Sequence, residues 1–361
     1  MRRFHLAVLL AVGTAMVASI GLAQQKSPMN APPMVLAEGS YKVLKAVKVG
    51  GDGGFDYVYA DSDGRRLYVP RSGPTGRITI FNLDTLESAG EIPGVNAHGA
   101  VVDPKTNHGF TTSKPLNMFD SKTLAVIKTI DVQGNPDGIF FDAFNQHVYD
   151  LSHANPHMTV IDSKDGSIVG TIADLGGAPE QTVSDGKGHL YVDLEDKDKI
   201  AVVDAKTLTV TTTYDLAPSG GTCASLAIDA KNNILFAGCR NPQVMVILSA
   251  TDGKIITTLP IGKATDGAVF NPATMEAFSS QGDGTMTVVK ESSPTSFAVE
   301  QNVETMSNAK TMTLDRKTNH LFLIAAEYGP PPENRPAGGP PGGIVRGPMV
   351  PGSFTILEVG K

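Results

Sequence analysis

The chain has 361 residues, 41% hydrophobic and only 6% aromatic, with no Trp and two Cys. Its formal net charge of −7 supplies no basic footprint for a nucleic-acid backbone, and no interior segment reaches the about eighteen uninterrupted apolar residues of a membrane span. The 38 Gly and 24 Pro suit many short strands joined by turns, because Gly supplies positive φ and Pro pre-sets turn geometry.

At the start of the chain, Arg2 and Arg3 precede an apolar stretch from Leu6 to Ile20, and Gly21 and Ala23 stand just before Gln24. These are the charged, apolar and small-residue regions of a secretory signal covering residues 1–23. The alternative is an uncleaved anchor, for which the run is short and rich in Ala and Gly. No Cys follows the run, so no lipid attachment site is expected. Export by the general route would carry the protein to the periplasm or beyond. Residues 24–40 read as a flexible linker, and 41–361 as one domain.

From residue 59 onward one hairpin turn recurs. It reads Asp61 to Tyr68, Asp103 to Phe110, Asp142 to Tyr149, Ser184 to Tyr191, Asp229 to Phe236, Asn271 to Phe278 and Asp315 to Phe322: seven units which, counted from the start of each first strand (Asp56, His98, Asp137, Glu180, Ala224, Asp266 and Lys310), step by 39 to 44 residues. A third apolar strand follows in each, as at Ile78 to Phe81, Met158 to Ile161 and Phe354 to Leu357. Four strands per unit at this period predict an all-β, seven-bladed β-propeller with four-stranded antiparallel blades. The last unit is one strand short. Residues 41–50 match a fourth strand with no third strand before them, so the N-terminal strand is expected to complete the last blade and close the ring, covering edges otherwise open to association. A closed ring of this kind predicts a monomer.

Cys223 and Cys239 lie in the first two strands of the fifth unit. With the turn centred on Lys231 they fall opposite each other, which leaves a disulfide or two buried thiols. Residues 329–352 form a Pro/Gly-rich insertion between the second and third strands of the last unit. With eight Pro it builds no core of its own, and reads either as a tolerated surface insertion or as a lid or partner-binding arm.

The blade pattern in Leu67-Tyr-Val69, Leu190-Tyr-Val192, Val160-Ile-Asp162 and Val203 to Leu208 resembles the YVTN-repeat, YncE-like family of secreted bacterial seven-bladed propellers, over residues 41–361. The tetrapeptide Tyr-Val-Thr-Asn itself is absent. The resemblance implies architecture rather than activity, since these residues pack blades.

Propeller topology gathers the entrance of each first strand, and each loop between second and third strands, on one face. Asp56, His98, Asp137, Glu180, Asp266 and Lys310 are therefore expected around the channel mouth, with Arg71, Lys114, His153, His157, Glu195, Asp196, Arg240 and Tyr328 on the surrounding loops. Carboxylates converging on a narrow channel must be protonated, hydrated or bridged by a cation. The site is thus either a solvated polar ring or a divalent-metal site using some of Asp56, His98, Asp137, Glu180 and Asp266. Linear motifs for nucleophile elbows, haem attachment, nucleotide loops and zinc hydrolases are all missing. The residues favour a non-catalytic, exported binding propeller that presents its loop face to a protein, peptide or small ligand. The alternative is a channel-centred, metal-dependent enzyme, a lactonase-like hydrolase or an oxidoreductase. DNA binding, which the resemblance also allows, is disfavoured by the acidic balance.

Overall fold

The computed structural model describes residues 40–331 and 346–361. The signal and linker expected in residues 1–39 and the middle of the Pro/Gly-rich insertion lie outside the described residues.

Each repeated turn folds for a local reason. The Asp, Asn or Ser that opens it turns its side chain back on the loop: Asp61 Oδ1 accepts from Gly64 N at 2.9 Å, Asp103 Oδ1 from Lys105 N at 2.9 Å, Ser184 Oγ from Gly186 N at 3.0 Å and Asn271 Oδ1 from Ala273 N at 3.0 Å. The fifth residue is left-handed in all seven: Arg65, Asn107, Gln146, Gly188, Asn233, Met275 and Asn319. This reverses the chain into the second strand, whose aromatic residue (Tyr68, Phe110, Tyr149, Tyr191, Phe236, Phe278 or Phe322) is buried between blades. Each such burial stabilises by about 1.5–3 kcal/mol.

The result is seven antiparallel sheets of four strands each. The innermost strands run Tyr59–Asp61, Ala100–Asp103, Pro136–Asp142, Pro179–Ser184, Cys223–Asp229, Thr265–Asn271 and Met312–Asp315, and each touches the next around a closed circle. Apolar clusters fill the spaces between blades rather than a single centre. At the turn face, Arg65 donates to Asp315 at 2.7 Å, Ser163 to Asp103 at 2.8 Å and Ser184 to Asp142 at 3.0 Å, tying neighbouring blades together.

The seventh sheet takes its outer strand from the other end of the chain. Lys42–Lys48 pairs antiparallel with Thr355–Gly360. A second tie runs to blade 6: buried Glu276 accepts from the Tyr41 hydroxyl at 2.5 Å and from Lys361 at 2.9 Å, so both ends of the propeller meet on one carboxylate.

In blade 5 the strand pairs are Asp229 with Ile234 and Ser225 with Gly238, one residue away from a turn centred on Lys231. A bulge at Ala224 absorbs the difference and sets Cys223 opposite Cys239, with the sulphurs bonded at 2.01 Å.

Candidate functional site

The same kind of bulge builds the channel mouth. The inner strands of blades 3, 4, 5 and 6 lose register at Pro136/Ile139, Pro179/Thr182, Cys223/Ser225 and Thr265/Gly267. The residues in these interruptions include Asp137, Glu180, Ala224 and Asp266, so the bulges re-aim the side chains the mouth uses. His98 is set by its own backbone, whose N–H donates to Thr112 Oγ1 at 2.9 Å. Asp56 is held through its carbonyl, which accepts from Thr311 Oγ1 at 2.9 Å.

All six expected mouth residues meet in one circuit. Lys310 donates to Asp266 and lies 3.5 Å from Asp56. His98 Nδ1 stands 3.3 Å from Asp56 Oδ2 and 3.1 Å from Asp137 Oδ1. Two residues placed by sequence on outer loops also reach the circuit. His153 Nε2 lies 3.4 Å from both Asp137 Oδ2 and Glu180 Oε2, while Arg240 pairs with both Asp266 and Glu195. Blade 5 has only Ala224 at its mouth position, and the Arg240 guanidinium extends into the space that leaves, with its Nε donating to Thr265 O at 2.9 Å.

The other loop residues do different work. Arg71 is 2% exposed; its guanidinium lies 3.2 Å over the Phe354 ring and donates to Gly50 O at 2.8 Å, and burial followed by the nearby Arg77 charge lowers its pKa to about 10. It packs the blade 7 junction instead of facing outward. His157 Nδ1 accepts from Leu175 N at 3.1 Å and shapes an outer turn of blade 3. Lys114 donates to Gly134 O at 2.7 Å, and Asp196 accepts from Ala178 N at 2.7 Å, both as loop braces. Tyr328 bridges to Met349 at the base of the insertion and carries the Arg346 guanidinium 5.0 Å over its ring.

One layer below, the channel narrows. Tyr57 crosses from blade 1 to blade 4 and donates its hydroxyl to Glu180 O at 3.0 Å. Gln181 spans the other side, accepting from Leu226 N at 2.9 Å and donating to Ala268 O at 3.3 Å. Glycines make the room: a Cβ on Gly99 would stand 3.3 Å from Tyr57 Cβ, and one on Gly138 would stand 2.9 Å from Glu180 O. A cavity of about 230 Å³ adjoins this waist, with Tyr57, Gln181, Glu180 and Asp266 in its walls beside Val58, Val101, Phe140 and Val269. The polar basin of the mouth therefore continues into a cavity of mixed polar and apolar lining.

Burial and neighbouring charge tune the basin. Burial pushes Glu180 up to about 7 against the opposing bond to His153, with Asp266 and Asp137 adding to the rise. The bond to Glu180 lifts His153 to about 9 despite burial. Burial and then the Asp56 charge raise Asp137. Asp56 is held low: burial opposes this, but Lys310 and His98 outweigh it. Burial, then Glu180 and Asp137, drive the Tyr57 phenol well above its ordinary value, so it remains a donor. Among the described residues, five carboxylates, Asp56, Asp137, Glu180, Glu195 and Asp266, thus stand in ion pairs that include two permanent cations, Arg240 and Lys310.

Together the fold and the basin define a seven-bladed β-propeller with a polar channel mouth. Among solved structures, this chain is similar to one in "Crystal Structure of Mitotic Checkpoint Complex" (TM-score 0.68, 10% identity, covering 85% of this chain and 95% of that one). It is likewise similar to "Structure of U3-55K" (TM-score 0.67, 9% identity, 88% and 98% covered) and to "Crystal structure of RRP9 WD40 repeats" (TM-score 0.68, 9% identity, 88% and 97% covered). At these identities the likeness is one of fold. No family model and no curated protein matches the chain.

Proposed function

We propose that this protein is an exported, non-catalytic binding propeller of the YVTN-repeat, YncE-like kind, and that its channel mouth captures a positively charged group of a small ligand, peptide or protein. The observation that carries this reading is the charge imbalance of the basin, five carboxylates against two permanent cations, concentrated where blades 1–4 meet. Low-dielectric walls strengthen such a field toward a guest of opposite sign. Export is supported by the pattern of residues 1–23 and by the Cys223–Cys239 bond, which suits an oxidising compartment. Complex-forming propellers among the similar structures support a partner-binding role by analogy of fold alone.

Fluorescence anisotropy with a labelled tetralysine peptide tests the reading, with tetraglutamate as reference. Tetralysine should bind, weaken with added salt, and lose at least about tenfold in affinity in the double variant Asp137→Asn/Glu180→Gln. Equal binding by wild type and the double variant would refute capture at the mouth.

The second reading, channel-centred hydrolase or oxidoreductase chemistry, draws on the group of Glu180, His153 and Asp137, whose shifted pKa values are of the kind found in acid–base sites. Turnover of lactone or ester substrates that disappears in Glu180→Gln would favour it over simple binding.

A further inference from the structure

On the blades 1–4 side of the mouth, single ring nitrogens face several acceptors at once. Asp137 offers one oxygen to each imidazole: Oδ1 lies 3.1 Å from His98 Nδ1 and Oδ2 lies 3.4 Å from His153 Nε2. His98 Nδ1 also faces Asp56 Oδ2 at 3.3 Å, while His153 Nε2 also faces Glu180 Oε2 at 3.4 Å and Pro179 O at 3.1 Å. A ring nitrogen carries at most one proton, so two or three acceptors can only share it through weaker, bifurcated bonds. The separations are also long for charged N–H···O bonds, which run about 2.7–2.9 Å. They instead match the spacing of donor atoms around a tetrahedral cation, about 3.3–3.4 Å when each bond is about 2.0–2.1 Å.

Two triads share one residue, Asp56, His98 and Asp137 on one side and Asp137, His153 and Glu180 on the other; in each, two donor separations fall at 3.1–3.4 Å and all three donor atoms lie within 4.8 Å of one another. A further observation comes from behind the site. Asp150, on the neighbouring strand of blade 3, is 0% exposed and neither of its carboxylate oxygens has a hydrogen-bond partner among the described residues. A second buried acid, Asp193 in blade 4, leaves its Oδ2 likewise unpartnered. The nearest permanent mouth cation, Lys310, is engaged by Asp266 and approaches only Asp56.

We propose that this side of the mouth is a divalent transition-metal centre with Asp137 as its common carboxylate ligand and His98, His153, Asp56 and Glu180 completing the protein donors. The proposal rests on the reading of the mouth as a cation-capturing basin and narrows it to a class of ion. Two imidazoles among carboxylates favour Zn²⁺- or Co²⁺-like ions over Mg²⁺ or Ca²⁺, which prefer oxygen alone. Each triad supplies three donors and leaves a position for water or a guest group, so a partner could be held through the ion as well as through the basin.

The test is a titration of the full chain, stripped with EDTA and dialysed, using Co²⁺ as the only probe, with visible ligand-field bands and elemental analysis as readouts. Wild type should take up at least about one equivalent with four- or five-coordinate bands, and Zn²⁺ should displace the Co²⁺. Asp137→Asn should weaken binding at least about tenfold, and so should His98→Gln/His153→Gln, which keeps every carboxylate. Melting curves in EDTA show whether the variants fold; if they do not, the wild-type titration decides alone. Absence of stoichiometric Co²⁺ in wild type would overturn the proposal, as would unchanged uptake in either folded variant. Tetralysine binding that persists without Co²⁺ uptake would remove the metal centre alone, whereas loss of both would remove the basin reading with it.

Discussion

The two sides of the channel mouth use the same residue types to opposite ends. Where blades 4–7 meet, Glu195, Arg240, Asp266 and Lys310 alternate in sign and touch directly, with the Arg240 and Asp266 side chains at 5% and 3% exposure. Every charge there has a partner within the protein. Where blades 1–4 meet, Asp56, Asp137 and Glu180 share two imidazoles at 3.1–3.4 Å, and among the described residues the one Arg or Lys paired with any of them is Lys310, 3.5 Å from Asp56. The first side is a strut between blades. The second has an unmet demand for positive charge, and the comparison teaches that a ring of polar residues can divide its labour by whether its cations are permanent or titratable.

The largest effect expected from breaking this division comes from Arg240→Met. It leaves Asp266, 3% exposed, and Glu195, 19% exposed, without their guanidinium, and should cost about 3–5 kcal/mol by chemical denaturation. A loss below about 1 kcal/mol would mean that the strut is not one. Next comes the Cys223–Cys239 bond, whose second residue directly precedes Arg240 in the chain. Replacing both with Ser should lower stability by about 2–4 kcal/mol and leave tetralysine affinity unchanged, since the bond supports the paired side only.

A smaller effect sharpens the comparison away from the mouth. Glu291 in blade 6 is buried, accepts from Asn232 at 2.7 Å and leaves its second oxygen unpartnered; burial and then Asp229 lift its pKa from 4.5 to about 7. The folded state therefore holds this proton more tightly than the unfolded chain does. Its contribution to stability is fully present below pH 4.5 and is lost as pH rises through 7. Glu291→Gln should flatten that slope, raising the melting temperature at pH 8 by a few degrees and leaving it little changed at pH 4. An undiminished slope in the variant would show that other groups set it.

Much of the fold is legible in the chain because a propeller repeats its local solutions. The Asp, Asn or Ser that opens each turn, the left-handed fifth residue and the aromatic in the second strand recur at nearly fixed spacing, and the missing fourth strand of the last unit points to the other end of the chain. Register is harder to read. Cys223 and Cys239 are opposite one another only because Ala224 bulges out of a hairpin whose other pairs are displaced by one residue. The mouth residues at first-strand entrances are likewise legible, being fixed by topology. Arg240 and His153 are not, because the direction of a long side chain from a loop depends on the space its neighbours leave, here the gap at Ala224. Tyr57 also escaped sequence reading, although the glycines at 99 and 138 are the trace it leaves in neighbouring blades.

The most direct test of the division is paired urea denaturation of Asp266→Asn and Asp137→Asn at neutral pH in EDTA. Asp266→Asn strips both Arg240 and Lys310 of a partner and should lose about 3 kcal/mol or more. Asp137→Asn relieves a buried charge crowded by Asp56 and should leave stability within about 0.5 kcal/mol of wild type or raise it. Equal losses in the two variants, or a greater loss for Asp137→Asn, would contradict the account.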